Sequence, residues 1–154
     1  MQFLKEKSKI EAWLKKYEIT QYTLLADERY GFVVNVDGHV ELSGNKLKEI
    51  PVKFNTVGGD FTCSSNQLTN LEFCPKLVNG DFHCYGNQLT SLKFCPQTVN
   101  GGFYCDNNRR LGDIQKITDF QTIYLEHKKW HAENLYDKLD TRLISKVLSS
   151  RVKI

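Results

Sequence analysis

Between residues 40 and 108 the apolar positions recur with a period of 21. Val40, Phe61, Phe82 and Phe103 form one column. Leu42, Cys63, Cys84 and Cys105 form a second, two residues further on. Residues two apart share one face of a strand, so each pair predicts a short strand with these side chains turned inward. Leu47, Leu68 and Leu89, then Ile50, Leu71 and Leu92, point to the same interior after a turn, and Val57, Val78 and Val99 follow. Asn45, Asn66, Asn87 and Asn108 stand at that turn. There a carboxamide can donate to and accept from backbone groups freed by the bend. Gly59, Gly80 and Gly101 precede the return corner and supply either positive φ or room for close packing. One such coil cannot bury its apolar face alone, so the pattern predicts a stacked solenoid. The register fails after Asn108, where Arg110 falls in the leucine column. The expectation is a right-handed solenoid of about four 21-residue coils, with a parallel sheet along one face.

The flanks carry other periods. In residues 2–17 Phe3, Ile10, Trp13, Leu14 and Tyr17 recur at helical spacing, with Lys5, Lys9, Lys15 and Lys16 between them. This predicts an amphipathic helix covering the first coil, in preference to a basic membrane-surface or calmodulin-target helix. Tyr22 to Ala26 and Tyr30 to Val36 read as strands, and Asp37–Gly38 as a turn leading into Val40. Pro51 and the pairs Cys74–Pro75 and Cys95–Pro96 mark where each coil turns along its outer side. After Leu111 helical spacing returns at Ile117, Phe120, Ile123, Tyr124 and His127. Thr118 and Gln121 form a capping box, and Phe120 and Tyr124 are expected to cap the last coil. The division is 1–39 as an N-terminal helix and hairpin cap, 40–110 as repeats and 111–154 as a C-terminal helical cap, all in one domain.

The spacing F-x-C-x-x-N-x-L-x-x-L, clearest in Phe61 to Leu71 and Phe82 to Leu92, resembles the leucine-rich repeat of the short bacterial type. The order of a basic N-terminal helix, a hairpin at Val34 to Val40 turning at Asp37–Gly38, the run Leu47 to Pro75 and a helical tail opening at Leu111 to Trp130 is similar to that of small leucine-rich-repeat proteins encoded by large tailed bacteriophages. That resemblance implies an α/β leucine-rich-repeat solenoid acting in the host cytoplasm. It transfers no functional residue, because members of the group mostly have no assigned activity.

Composition narrows the chemistry. At 154 residues with 40% hydrophobic content, the chain is sized for one modest core. No apolar run approaches the roughly 20 residues of a membrane span. The charged start, MQFLKEKSKIEAW, has no signal-peptide core, so no export and no membrane are expected. The 5 Cys follow the repeat and form no C-x-x-C, which reads as free core thiols in a reducing compartment. Coils near 4.8 Å apart also allow a chance disulfide on storage. Residues 1–16 carry five Lys against two Glu, and 128–154 carry seven Lys and Arg against three acids. Residues 17–127 carry nine against thirteen, so the net +3 sits on the caps and not on the repeats. A nucleic-acid face needs cations along its docking surface. Binding through Lys5, Lys15, Lys16, Lys128, Lys129 and Arg142 therefore stands only as an alternative, beside self-association through an open coil edge.

No catalytic motif is found. His127 and His131 have metal-binding spacing, but Glu126 is misplaced for H-E-x-x-H, and Cys105 beside Asp106 reads as a core column. No metal and no cofactor are expected. Recognition falls to the outward positions of the repeat strands. Glu41, Thr62, His83 and Tyr104 form one outward column; Ser43, Ser64, Tyr85 and Asp106 form the next. Asp60 and Asp81 lie at the strand starts, and Lys46, Gln67, Gln88 and Arg109 at the ends. His83, Tyr85 and Tyr104 are expected to meet as an aromatic cluster ringed by Asp81, Asp106 and Arg109. Tyr and Arg are enriched where protein interfaces concentrate their binding energy. The expected function is non-catalytic protein binding through this face. With the phage resemblance, the expected partner is a bacterial host protein or a host-defence component that the chain inhibits.

Overall fold

The computed structural model describes residues 3–116. The described residues form a β-solenoid of about three turns with one α-helix. It is built from α1 (Lys7–Lys16) and nine strands: β1 (Tyr22–Asp27), β2 (Gly31–Val36), β3 (Val40–Glu41), β4 (Phe54–Val57), β5 (Phe61–Thr62), β6 (Leu77–Val78), β7 (Phe82–His83), β8 (Thr98–Val99) and β9 (Phe103–Tyr104). Each turn contributes a strand to each of two sheets. One sheet runs β1-β2-β4-β6-β8 and the other β3-β5-β7-β9. All pairings are parallel except β1 with β2, which is an antiparallel hairpin.

The 21-residue period becomes the register directly. Val40 pairs with Phe61, Phe61 with Phe82 and Phe82 with Phe103. The rings follow, with centroids of Phe54 and Phe61 at 5.3 Å, Phe61 and Phe82 at 5.7 Å, and Phe82 and Phe103 at 5.0 Å. All four are fully buried beside Cys63, Cys84 and Cys105. Burying one such ring is worth about 1.5–3 kcal/mol, so the four rings together make a large apolar contribution.

Polar ladders close the corners. Asn87 Nδ2 donates to the carbonyls of Cys63 at 3.0 Å and Cys84 at 3.1 Å, while its Oδ1 accepts the N–H of Leu68 at 3.0 Å. Asn66 and Asn108 repeat the arrangement one coil earlier and later. At the other corner Asp60 Oδ1 accepts the N–H of Asp81, and Asp81 Oδ1 that of Gly102. Gly80 and Gly101 are required by close approach and not by φ. A Cβ on Gly80 would lie 2.1 Å from Asp60 Oδ1 and 2.8 Å from the carbonyl carbon of Gly59.

The structure corrects four expectations. The coils stack into two sheets where one was expected: the chain beyond Pro51, Pro75 and Pro96 turns back into strands, which place Val57, Val78 and Val99 inward. Asp37–Gly38 is a corner between the sheets and not a hairpin turn; the hairpin joins β1 and β2 through 28–30. The helix begins at Lys7, because the preceding residues are extended and Leu4 donates its N–H to Pro51 O at 2.7 Å. Phe3 instead packs on Phe73 at 5.2 Å and on Tyr30 at 5.8 Å. Helix α1 turns Ile10 and Leu14 into the core and lays Trp13 against Phe54 at 6.3 Å. Finally, residues Arg109–Lys116 form tight 3-10 turns interrupted at Gly112, where φ is 67°. The helical tail expected from Ile117 onward, with Phe120, Tyr124, His127 and His131, lies outside the described residues.

Candidate functional site

Strands β3, β5, β7 and β9 are two residues long, and their inward side chains are fixed by the Phe and Cys columns. Alternation then forces the intervening residues outward. The register aligns Glu41 with Thr62, Thr62 with His83 and His83 with Tyr104. His83 and Tyr104 stack with centroids 4.8 Å apart and planes at 13°. That is the coil spacing itself, so both rings project along the same direction from neighbouring strands. Tyr85 meets His83 edge-on at 6.0 Å and 82°. His83 Nε2 lies 3.8 Å from Asp81 Oδ2. The expected union of Asp81, His83, Tyr85 and Tyr104 is therefore present.

Gly102 completes the cluster, and sequence reasoning missed it. It occupies the column of His39, Asp60 and Asp81, and a Cβ there would fall 2.6 Å from the Tyr104 hydroxyl. Tyr104 thus leans back over Gly102, filling the place where earlier coils carry a side chain. The available signal was the break in the column two residues before Tyr104.

Other candidates have different surroundings. Asp60 and Asp81 each commit Oδ1 to the backbone of the next coil, so only the second oxygen faces outward chemistry. His39 takes the equivalent role one coil earlier, its Nδ1 accepting the Asp60 N–H at 2.9 Å. That same nitrogen is 3.5 Å from Asp60 Oδ2, but it cannot accept the amide hydrogen and also carry a proton toward the carboxylate. The shorter contact assigns it as an acceptor. Glu41 Oε1 accepts the Ser43 N–H at 2.7 Å. Asp106 and Arg109 are exposed, and among the described residues no ion pair joins them to the cluster. Ser64, expected outward, is fully buried, and its hydroxyl has no hydrogen-bond partner among the described residues.

The thiols lie behind this face. Burial pushes Cys84 well above its ordinary range, and burial with the Asp106 charge pushes Cys105 to about 12. A hydrogen bond with Cys74, added to burial, raises Cys63, and burial raises Cys95 to about 12. These are neutral thiols near pH 7, the reverse of the lowered pKa that activates a nucleophile. Among the described residues no three His, Cys, Asp or Glu side chains are placed to hold a metal. No described helix is long and apolar enough to cross a membrane.

No protein-family model, curated protein or solved structure matches this chain.

Proposed function

We propose that the chain is a non-catalytic protein-binding module and that the outward face of β3-β5-β7-β9 is its recognition surface. The stacked His83–Tyr104 pair with Tyr85 edge-on carries this reading. These rings are half-buried and braced by Gly102 and Asp81, so little side-chain freedom remains to be lost on binding. Rigid Tyr side chains in such settings supply much of the binding energy at protein interfaces.

In the same reading, the solenoid is a leucine-rich-repeat array of about four coils, capped by helices at both ends. The partner is a bacterial host or host-defence protein inhibited by a phage-encoded binder. The repeat spacing and the resemblance of the chain to phage proteins support this extension.

The test is capture from bacterial lysate at low and high salt, comparing wild type with a folded Tyr85→Ala/Tyr104→Ala variant. A discrete protein retained at high salt by wild type alone supports the reading. Nucleic acid recovered only at low salt, indifferent to the mutations, moves the function to the basic ends.

A further inference from the structure

We propose that the recognition face is built to receive a basic segment of a protein partner, with an arginine or lysine side chain seated against Tyr85. This rests on the reading of that face as the interface and names the chemistry it selects.

Charge supplies the first argument. The strand-start column and the two outward columns contain Glu41, Asp60, Asp81 and Asp106, and neither Lys nor Arg. Basic residues enter only at the strand ends, with Lys46 and Arg109. The face is thus acidic on a chain whose net charge is +3. Asp106 is exposed, and its backbone is tied beside Tyr85 through the Gly86 N–H to Asp106 O bond at 3.0 Å.

The rings give the second argument. Aromatic faces attract cations, arginine above all, and the attraction strengthens where neighbouring carboxylates share the charge. Tyr85 stands nearly perpendicular to His83, so its ring presents a different aspect from that of the His83–Tyr104 stack.

Ser64 gives the third. It precedes Tyr85 by one coil in the same column, fully buried, its hydroxyl without a hydrogen-bond partner among the described residues. An unpaired buried hydroxyl costs about 1–3 kcal/mol. A guanidinium N–H that reaches this oxygen beside Tyr85 donates to it, whereas an apolar side chain leaves it unpaired.

The experiment is a titration of the isotopically labelled full chain, followed by amide NMR, with a terminally capped Gly-Arg-Gly-Arg-Gly peptide. The control is the same peptide with Glu for Arg. Saturable shifts confined to Ser64, His83, Tyr85, Tyr104 and Asp106, absent with the Glu peptide, are expected. Replacing the exposed carboxylate by Asp106→Lys should weaken binding about tenfold or more, since it reverses one charge at the face. No response to the Arg peptide, or shifts spread equally over Glu6, Glu11 and Glu28, overturns the proposal. A lysate partner lost by Tyr85→Ala/Tyr104→Ala but indifferent to Asp106→Lys would leave the interface standing and overturn its preference for a cation.

Discussion

Asp60 Oδ1 accepts the backbone N–H of Asp81 at 2.7 Å, so the side chain of one coil completes the corner of the next. Asp81 does the same for Gly102 at 2.8 Å. The carboxylates at the strand starts are thus part of the scaffold as well as of the outward face. Asp60→Ala orphans a half-buried amide and should cost about 1–3 kcal/mol in urea unfolding. Asp60→Asn keeps an oxygen acceptor and should cost much less.

The Asn ladder predicts the opposite tolerance. Asn87 donates to the carbonyls of Cys63 and Cys84 from a buried position. Asn87→Asp keeps the shape but has no donor when ionised, and it faces carbonyl oxygens. It should destabilise the fold by about 3 kcal/mol or more, as a buried charge without compensation does. Equal tolerance of Asp60→Asn and Asn87→Asp in matched denaturation curves would contradict the assignment of donors and acceptors.

A left-handed column runs through the turns. Gly44, Ser65, Gly86 and Asn107 have φ of 68°, 53°, 67° and 53°, each 21 residues from the next. Ser is the residue least suited to this conformation. Ser65→Gly should stabilise the chain by up to about 1 kcal/mol, reduced by the greater freedom of the unfolded chain. Gly86→Val should destabilise, since φ is unfavourable and a Cβ would already stand 3.3 Å from the Ser65 amide nitrogen. Thermal unfolding of the two variants reads both signs.

Alkaline pH should destabilise the fold. Cys63, Cys84, Cys95 and Cys105 are all raised, so the native state holds protons that the unfolded chain releases above the ordinary thiol range near 9. Their contribution is fully present below that range and is lost as pH climbs toward about 12. Lys53 opposes this. Burial lowers its pKa below 10.5 while Nζ donates to Cys74 O at 2.7 Å, so its contribution rises with pH. Four thiols outweigh one ammonium, and unfolding midpoints measured from pH 7 to 11 should fall. A rising or flat profile would contradict the burial of the thiols.

Gly102 offers a way to move the site without breaking the scaffold. In Gly102→Ala the new methyl meets the Tyr104 ring end, which can swing away, and the backbone stays in place. Global stability should change by less than about 1 kcal/mol. The His83 ring protons should lose the shielding caused by the Tyr104 stack, a change visible by NMR.

The inward columns were legible because each is written three or four times and each copy meets the same neighbours. Phe61, Phe82 and Phe103, and the Asn residues at the bends, behave alike for that reason. The second sheet was not legible. Its repeat strands Leu77–Val78 and Thr98–Val99 are two residues long, too short for alternation to register, and they follow prolines that read as turns. At the site, the aromatic cluster followed from counting, but the burial of Ser64 and the lean of Tyr104 over Gly102 depend on side-chain packing between coils. Phe73 and Phe94 show the limit most directly. Both begin the same Phe-Cys-Pro triplet, yet Phe73 is buried against Phe3 and Tyr30, while Phe94 is 47% exposed with φ of 68°. Phe73 O accepts the N–H of Phe54 at 3.1 Å. One coil on, the corresponding donor is Pro75, which has none.

The central claim is that recognition occurs on the β3-β5-β7-β9 face. The most direct test is photo-crosslinking in bacterial lysate from a benzophenone side chain placed at Thr62, or at Thr98 on the other sheet. A discrete protein adduct from position 62 and none from 98 is the result this account predicts. An adduct from 98 alone, or equal adducts from both, would contradict it.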